Sequence, residues 1–248
     1  MSKCLIVTGG GRGIGAEVSR KAAKQGYSVC VNFHRDQTSA QKLVRELEKE
    51  GANALAYQAD VSQEEEIEAL FQTVEKNLGT PEALVNNAGI LDLQTRVDGM
   101  NAERIQRIFA VNVTGSFLCA REAVKRMSTK YEGKGGSIVN LSSGAAKYGS
   151  PGEYVDYAAS KAAIDTLTIG LAREVAEEGI RVNAVRPGFI ETEIHQSGGE
   201  PDRMERVRPL VPMKRVGQAE EVADAIMWLL SDKASYTTGT ILDVSGGR

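Results

Sequence analysis

The chain has 248 residues, 42% of them hydrophobic and 25% charged, which is ordinary for a soluble globular protein with room for one large α/β core. A net charge of −3 argues against a general nucleic-acid or membrane surface, and no apolar run reaches the ~18 residues of a membrane span. The opening MSKCLIVTGG enters a strand-like run without a signal-peptide apolar segment, so a cytoplasmic protein is expected.

Apolar β-rich runs then alternate with helical patterns to the end of the chain. CLIVT (4–8) reads as a strand, followed by a helix from about Ile14 to Gln25 and the strand SVCVNF (28–33). SAQKLVRELEKE (39–50) has apolar residues at helical spacing and stops at Gly51. ALAYQA (54–59) is a third strand, QEEEIEALFQTVEKNLG (63–79) a helix, and EALVNNAG (82–89) a fourth strand and turn. A long helix over about 102–129 precedes the strand GSIVNLSS (136–143). Another helix over 154–178 precedes IRVNAVRPG (180–188). After a loop over 190–215 come the amphipathic AEEVADAIMWLLS (219–231) and a seventh strand in GTILDVSGG (239–247). Several strands are apolar on both faces, as a helix-covered parallel sheet requires. The pattern predicts an α/β, doubly wound parallel sheet of about seven strands with helices on both faces, in one domain over 1–248.

Cys4, Cys30 and Cys119 lie in apolar or helical runs without metal-ligand spacing, and read as buried reduced thiols. With His34 and His195 the only histidines, a histidine-based zinc site has almost no material, and no metal is expected.

TGGGRGIGAE (8–17) sits where the first strand turns into the first helix. Glycines there let a pyrophosphate approach the backbone and meet the free N–H groups of the helix N-terminus. Two registers fit: Gly11-x-Gly13-x-x-Ala16, and Gly9-x-x-x-Gly13-x-Gly15. The end of the second strand bears on which nucleotide. A carboxylate there, about 20 positions after the glycines, would hold the ribose 2′-hydroxyl of NAD. This strand ends Asn32, Phe33, His34, Arg35, and the first acid, Asp36, comes after it. Arg12 and Arg35 are available to a 2′-phosphate, with His34 a third donor, so NADP(H) is expected.

In YVDYAASKAAIDTL (154–167), Tyr157 and Lys161 are four apart and share a helical face. Alone, the pair reads as a surface tyrosine packed on a lysine stem. Eight motifs in order change that reading: TGGGRGIG (8–15), ADV (59–61), NNAG (86–89), VNVTG (111–115), VNLSS (139–143), YAASK (157–161), RPGFIET (186–192) and TGTILDVSGG (238–247). Together they resemble the short-chain dehydrogenases/reductases, on the branch of the 3-oxoacyl-acyl-carrier-protein reductases and glucose dehydrogenases.

The resemblance implies a Rossmann fold in which Tyr157 transfers a proton and Lys161 lowers its pKa. An unperturbed phenol titrates near ~10, and a cation within about 4–6 Å favours the phenolate. The serine that bonds the substrate oxygen is Ser142 or Ser143. Matching VNLSS forward selects Ser143, leaving Ser142 to nearby backbone groups. Asn112 matches the fourth residue, which holds a water in the proton relay. On the cofactor side the resemblance implies roles for Gly9, Arg12, Gly13, Ile14 and Gly15, for His34 and Arg35, for Asp60 and Val61 at the adenine, and for Asn87, Ala88 and Gly89 at the inner ribose. Pro187, Gly188, Ile190 and Thr192 would hold the carboxamide, and Tyr157 and Lys161 would also touch the cofactor. A homotetramer or dimer packed through helices 102–129 and 154–178, with the C-terminal VSGGR (244–248) near another interface, is implied as well.

The segment 189–215 falls where the family's substrate-covering segment lies, with Gly198 and Gly199 suited to a hinge. His195, Tyr148, Glu153 and Tyr154 could face a pocket there, against ordinary loop roles. A carrier-protein reductase would place an arginine just before the Gly179 position, where this chain has Glu177 and Glu178. The basic stretch RMSTKYEGKGG (126–136) argues the other way. The expected substrate is therefore a small ketone, aldehyde or sugar carbonyl or alcohol, with 3-oxoacyl-acyl-carrier-protein reduction as the alternative. A non-catalytic NADP-sensing regulatory protein is the alternative of another class.

Overall fold

A computed structural model describes residues 3–192 and 203–248. Seven parallel strands form one sheet in the order β3-β2-β1-β4-β5-β6-β7. They are β1 (Cys4–Val7), β2 (Ser28–Phe33), β3 (Ala54–Gln58), β4 (Pro81–Asn86), β5 (Gly136–Leu141), β6 (Ile180–Pro187) and β7 (Ile241–Val244). The connecting helices are α1 (Gly13–Lys24), α2 (Gln37–Lys49), α3 (Glu64–Leu78), α4 (Ala102–Phe109), α5 (Gly115–Met127), α6 (Ala145–Tyr148), α7 (Val155–Val175), α8 (Arg203–Val207) and α9 (Ala219–Leu230).

Because successive side chains on a strand point to opposite faces, each central strand feeds two cores. In β1, Leu5 and Val7 join the cluster covered by α1, α2 and α9, whereas Cys4 and Ile6 join the cluster covered by α3, α5 and α7. Both faces are dry, and so these strands carry no polar alternation. Cys4, Cys30 and Cys119 are buried in the second cluster, where burial pushes the Cys4 and Cys119 thiols up to about 12 and raises that of Cys30 as well.

Strand order reverses between β1 and β4. The chain leaving β1 goes one way along the sheet and the chain leaving β4 goes the other, which opens a crevice at their carboxyl ends. A buried polar chain holds the second half of the sheet in place: Asn86 Nδ2 donates to Asn140 Oδ1 (3.0 Å), and Asn140 Nδ2 to Thr168 Oγ1 (2.9 Å).

The helix expected over 102–129 is interrupted. Residues Ala110–Thr114 form a π turn between α4 and α5. Inside it, Asn112 is fully buried and bonds the backbone of Ile90 twice, accepting from its N–H (2.8 Å) and donating to its carbonyl (2.9 Å). A π turn lets an extra residue face inward, and such bulges recur at functional sites. The helix expected over 154–178 is α7 followed by a 3-10 turn, Ala176–Glu178, that stops at Gly179 with φ 77°. The stretch expected as a loop carries α8 and the short turn Arg208–Leu210 among the described residues. His195, Gly198 and Gly199 lie outside the described residues.

An ion pair at the start of α7 sets that helix against α4. Arg104 Nε donates to Asp156 Oδ2 (2.6 Å), with the two side chains only 10% and 2% exposed. Asp156 Oδ1 also accepts from the backbone N–H of Tyr157 (2.9 Å). Removing one partner of a buried pair leaves an uncompensated charge, at a cost of about 3–5 kcal/mol. Asp156→Ala should therefore lower the unfolding free energy by that order in denaturant titration, and Asp156→Asn by less. A loss below about 1 kcal/mol in both would show that the pair does not hold α7.

Candidate active site

The glycine turn between β1 and α1 is held from three sides. Gly9 has φ +60°, and a Cβ on Gly15 would come within 2.7 Å of Gly9 O and 2.6 Å of Asn87 Nδ2. Asn87 Nδ2 donates to the carbonyls of Thr8 and Gly9, both at 2.9 Å, so the NNAG turn clamps the glycine turn across the crevice. Thr8 Oγ1 accepts from the N–H groups of Asn87 and Ala88, at 3.0 Å each. On the far side, buried Asn32 takes Gly10 N–H on its carbonyl (2.9 Å) and Gly9 N–H on Oδ1 (3.3 Å). Arg12, the residue before α1, makes no side-chain cap, leaving the first-turn N–H groups to an external acceptor. A close backbone approach and an uncapped helix N-terminus fit a pyrophosphate.

A cavity of about 370 Å³ opens beside this turn. Ile14, Asn87, Gly89, Ser143, Tyr157 and Lys161 line it, and Pro187, Gly188, Ile190 and Thr192 line it from the β6 side. Tyr157 projects from α7 into the same cavity wall as Ser143, which follows β5. Burial pushes the phenol's pKa up, and the Ser143 side chain and the Arg203 charge oppose that rise. Lys161 lies one turn further on, its Nζ 5.7 Å from the Tyr157 ring centre and donating to Leu141 O at 2.7 Å. Burial pushes the Lys161 pKa down to about 8, with Asp165 opposing. At neutral pH the resting pair is thus a protonated phenol beside an ammonium that is mostly charged. Ser142 Oγ donates to Lys161 O (3.2 Å). Asn112 is outside the cavity wall, with Nδ2 donating to Ser160 Oγ (3.0 Å) one turn from Tyr157.

Among the other sequence candidates, Arg12, His34, Arg35, Asp60 and Val61 do not line the cavity. Arg12, His34 and Arg35 are exposed together at the ends of β1 and β2. His34 Nδ1 is 3.6 Å from Asp60 Oδ2, and Asp60 Oδ1 accepts from Ser62 N and Oγ. Asp36 is turned into the first turn of α2, where it caps Ser39 N–H at 3.0 Å. Val61 and Ile190 have core side chains (6% and 4% exposed). Phe33 is also a core residue, so an aspartate introduced there would have to be buried.

Tyr148, Glu153 and Tyr154 line the cavity instead of serving as plain loop residues. Two arginines that sequence reasoning missed join them. Arg203 bonds Glu153 (2.6 Å) and lies over the Tyr154 ring, and Arg248 lies over Phe189 and Tyr148. No spacing in the sequence could link them to Tyr157.

A family model described as enoyl-(acyl carrier protein) reductase matches residues 9–248. An uncharacterized oxidoreductase of Escherichia coli, YgfF, is 56% identical over 98% of both chains. A 3beta-hydroxysteroid dehydrogenase 1 of Eggerthella lenta is 41% identical, over 99% of this chain and 93% of its own. Glucose 1-dehydrogenase 2 of Bacillus subtilis is 39% identical, over 99% and 94%. The chain belongs to the short-chain dehydrogenase/reductase family. It is an oxidoreductase of that family, whose members use nicotinamide cofactors.

The depressed Lys161 pKa has a consequence for stability. Between about pH 8 and 10.5 the unfolded chain keeps a proton that the folded chain has lost, so this position's contribution to stability rises with pH across that window. The difference in unfolding free energy between wild type and Lys161→Met should move in favour of wild type from pH 8 to 10.5. A difference that stays flat would mean that the ammonium is not buried.

Proposed function

We propose that this chain is an NADP(H)-dependent enzyme, formed by residues 1–248 as one unit, that interconverts the carbonyl and alcohol of a small ketone, aldehyde or sugar. The observation that carries it is that Ser143 and Tyr157 line one cavity wall together, with buried Lys161 one helical turn away. The nicotinamide supplies or accepts the hydride. Ser143 Oγ holds the substrate oxygen, and the Tyr157 hydroxyl gives it a proton in the reducing direction. The Lys161 ammonium stabilises the phenolate left behind, with its Leu141 bond fixing where that charge lies. Asn112, anchored to Ile90 and Ser160, would support return of the proton through the turn that it shapes.

The two relatives named for a hydroxysteroid and for glucose support an alcohol/carbonyl substrate, and a cavity of about 370 Å³ suits a small one. The carrier-protein reading is weaker. Glu177 is exposed where a basic docking residue would help, and Glu178 accepts from Ser128 Oγ. A sensor without turnover would need neither Tyr157 and Ser143 together at one cavity wall nor a buried lysine. Exposed Ile105, Phe117, Val155 and Ile169 on α4, α5 and α7 support a homo-oligomer, tetramer or dimer, packed through those helices.

Tyr157→Phe keeps the ring and removes the proton. Turnover with NADPH should fall by about a hundred- to ten-thousandfold while NADPH still binds. Near-normal turnover would refute this chemistry. The NADP(H) assignment rests on Arg12 and Arg35, exposed at a strand end without a carboxylate. A hydrogen bond to a charged group is worth about 1.5–3 kcal/mol, so Arg12→Ala or Arg35→Ala should weaken NADPH binding by roughly ten- to a hundredfold and leave NADH nearly unchanged. Equal losses for both cofactors, or a wild type that prefers NADH, would sink the assignment.

A further inference from the structure

The cavity wall carries more positive than negative charge among the described residues. Lys161, Arg203 and Arg248 line it, and Glu153 is its one carboxylate among the described residues. Glu153 is already committed, because it accepts from Arg203 (2.6 Å) and Arg206 (3.1 Å). Among the described residues of the wall no carboxylate is left over for Arg248. No carboxylate lies within ion-pair distance of it among the described residues, and its buried Nη1 has no hydrogen-bond partner.

The guanidinium is nevertheless fixed in place. It sits 4.6 Å from the centre of the Phe189 ring and 5.3 Å from that of Tyr148, two ring contacts that hold it in place. The backbone behind it is set by Ser245, whose Oγ donates to Arg248 O at 2.6 Å. A buried, oriented donor on a cation is costly unless something accepts from it. The fork of an arginine matches two oxygens of one anionic group.

We propose that the substrate carries an anionic group, a carboxylate, at a distance from its reacting carbonyl, and that Arg248, held against Phe189 and Tyr148, receives it. The inference rests on the reading of this cavity as the site of carbonyl reduction. It narrows the substrate class from any small carbonyl compound to oxo acids and the corresponding hydroxy acids. Arg203, neutralised by Glu153, would shape the wall beside that group without being its main partner.

The test uses the full chain with NADPH and a homologous series of methyl ketones ending in a carboxylate. Each ketone is paired with its methyl ester and with a phosphate monoester of similar length. At least one carboxylate should exceed its ester in kcat/KM by about ten- to a hundredfold, chiefly through KM. Arg248→Met should abolish that margin, and Arg248→Lys should retain part of it. Calorimetric binding of the same compounds to the NADPH complexes of wild type and Arg248→Met gives a readout independent of turnover. Carboxylate binding that Arg248→Met loses supports the proposal even if no compound is reduced, a result that would count against the reductase reading alone. Esters equal to acids in both measurements, or a preference for the phosphate monoesters, would overturn it. So would an Arg248→Met loss confined to NADPH affinity, which would make the cofactor the anion that Arg248 serves.

Discussion

The site depends on one buried cation. Lys161 cannot be placed in the interior without a partner, and Leu141 O at the carboxyl end of β5 supplies one at 2.7 Å. That bond fixes α7 along the helix axis relative to the sheet, and Tyr157, one turn earlier, is fixed with it. Ser143 follows β5 only two residues after Leu141, so the same contact sets the hydroxyl pair that a carbonyl oxygen would meet. Gly89 belongs to the same constraint. A Cβ there would lie 3.3 Å from Lys161 Nζ, a tight contact that would push the ammonium aside by a few tenths of an ångström.

The geometry also refines how the lysine acts. The spacing of four suggests a cation that lowers the tyrosine's pKa, but burial dominates both groups in the free protein: it raises the phenol and depresses the ammonium. The groups that oppose the rise at Tyr157 are Ser143 and Arg203. Lys161 matters once a proton has left, when an ammonium beside a new phenolate is worth far more than one beside a neutral phenol. A resting phenol that is still protonated suits reduction of a carbonyl without prior adjustment.

Much of the architecture was legible because its signals are local. The apolar runs of β1, β2 and β4 are continuous since both faces are covered, and the four-residue spacing of Tyr157 and Lys161 is visible without coordinates. The π turn at Asn112 was not legible, because its cause is a pair of bonds to Ile90, a residue distant in sequence. In the sequence Asn32 shows only as a missing carboxylate, whereas its side chain ties β2 to the glycine turn and to Ala59 O. Arg203 and Arg248 carried no motif. They reach the cavity only because the chain after β6 and the segment after β7 return to the same end of the sheet.

The most direct measurement is an NMR titration of selectively labelled protein that follows the Tyr157 ring carbon and the Lys161 side chain together, with Tyr157→Phe and Lys161→Met supplying the assignments. In the free protein Lys161 should lose its proton near pH 8 while Tyr157 stays protonated through that pH and ionises only above the ordinary phenol range near 10. A Tyr157 that ionises before Lys161, or a lysine that titrates at its ordinary 10.5, would contradict a site organised around a buried ammonium and a resting proton donor.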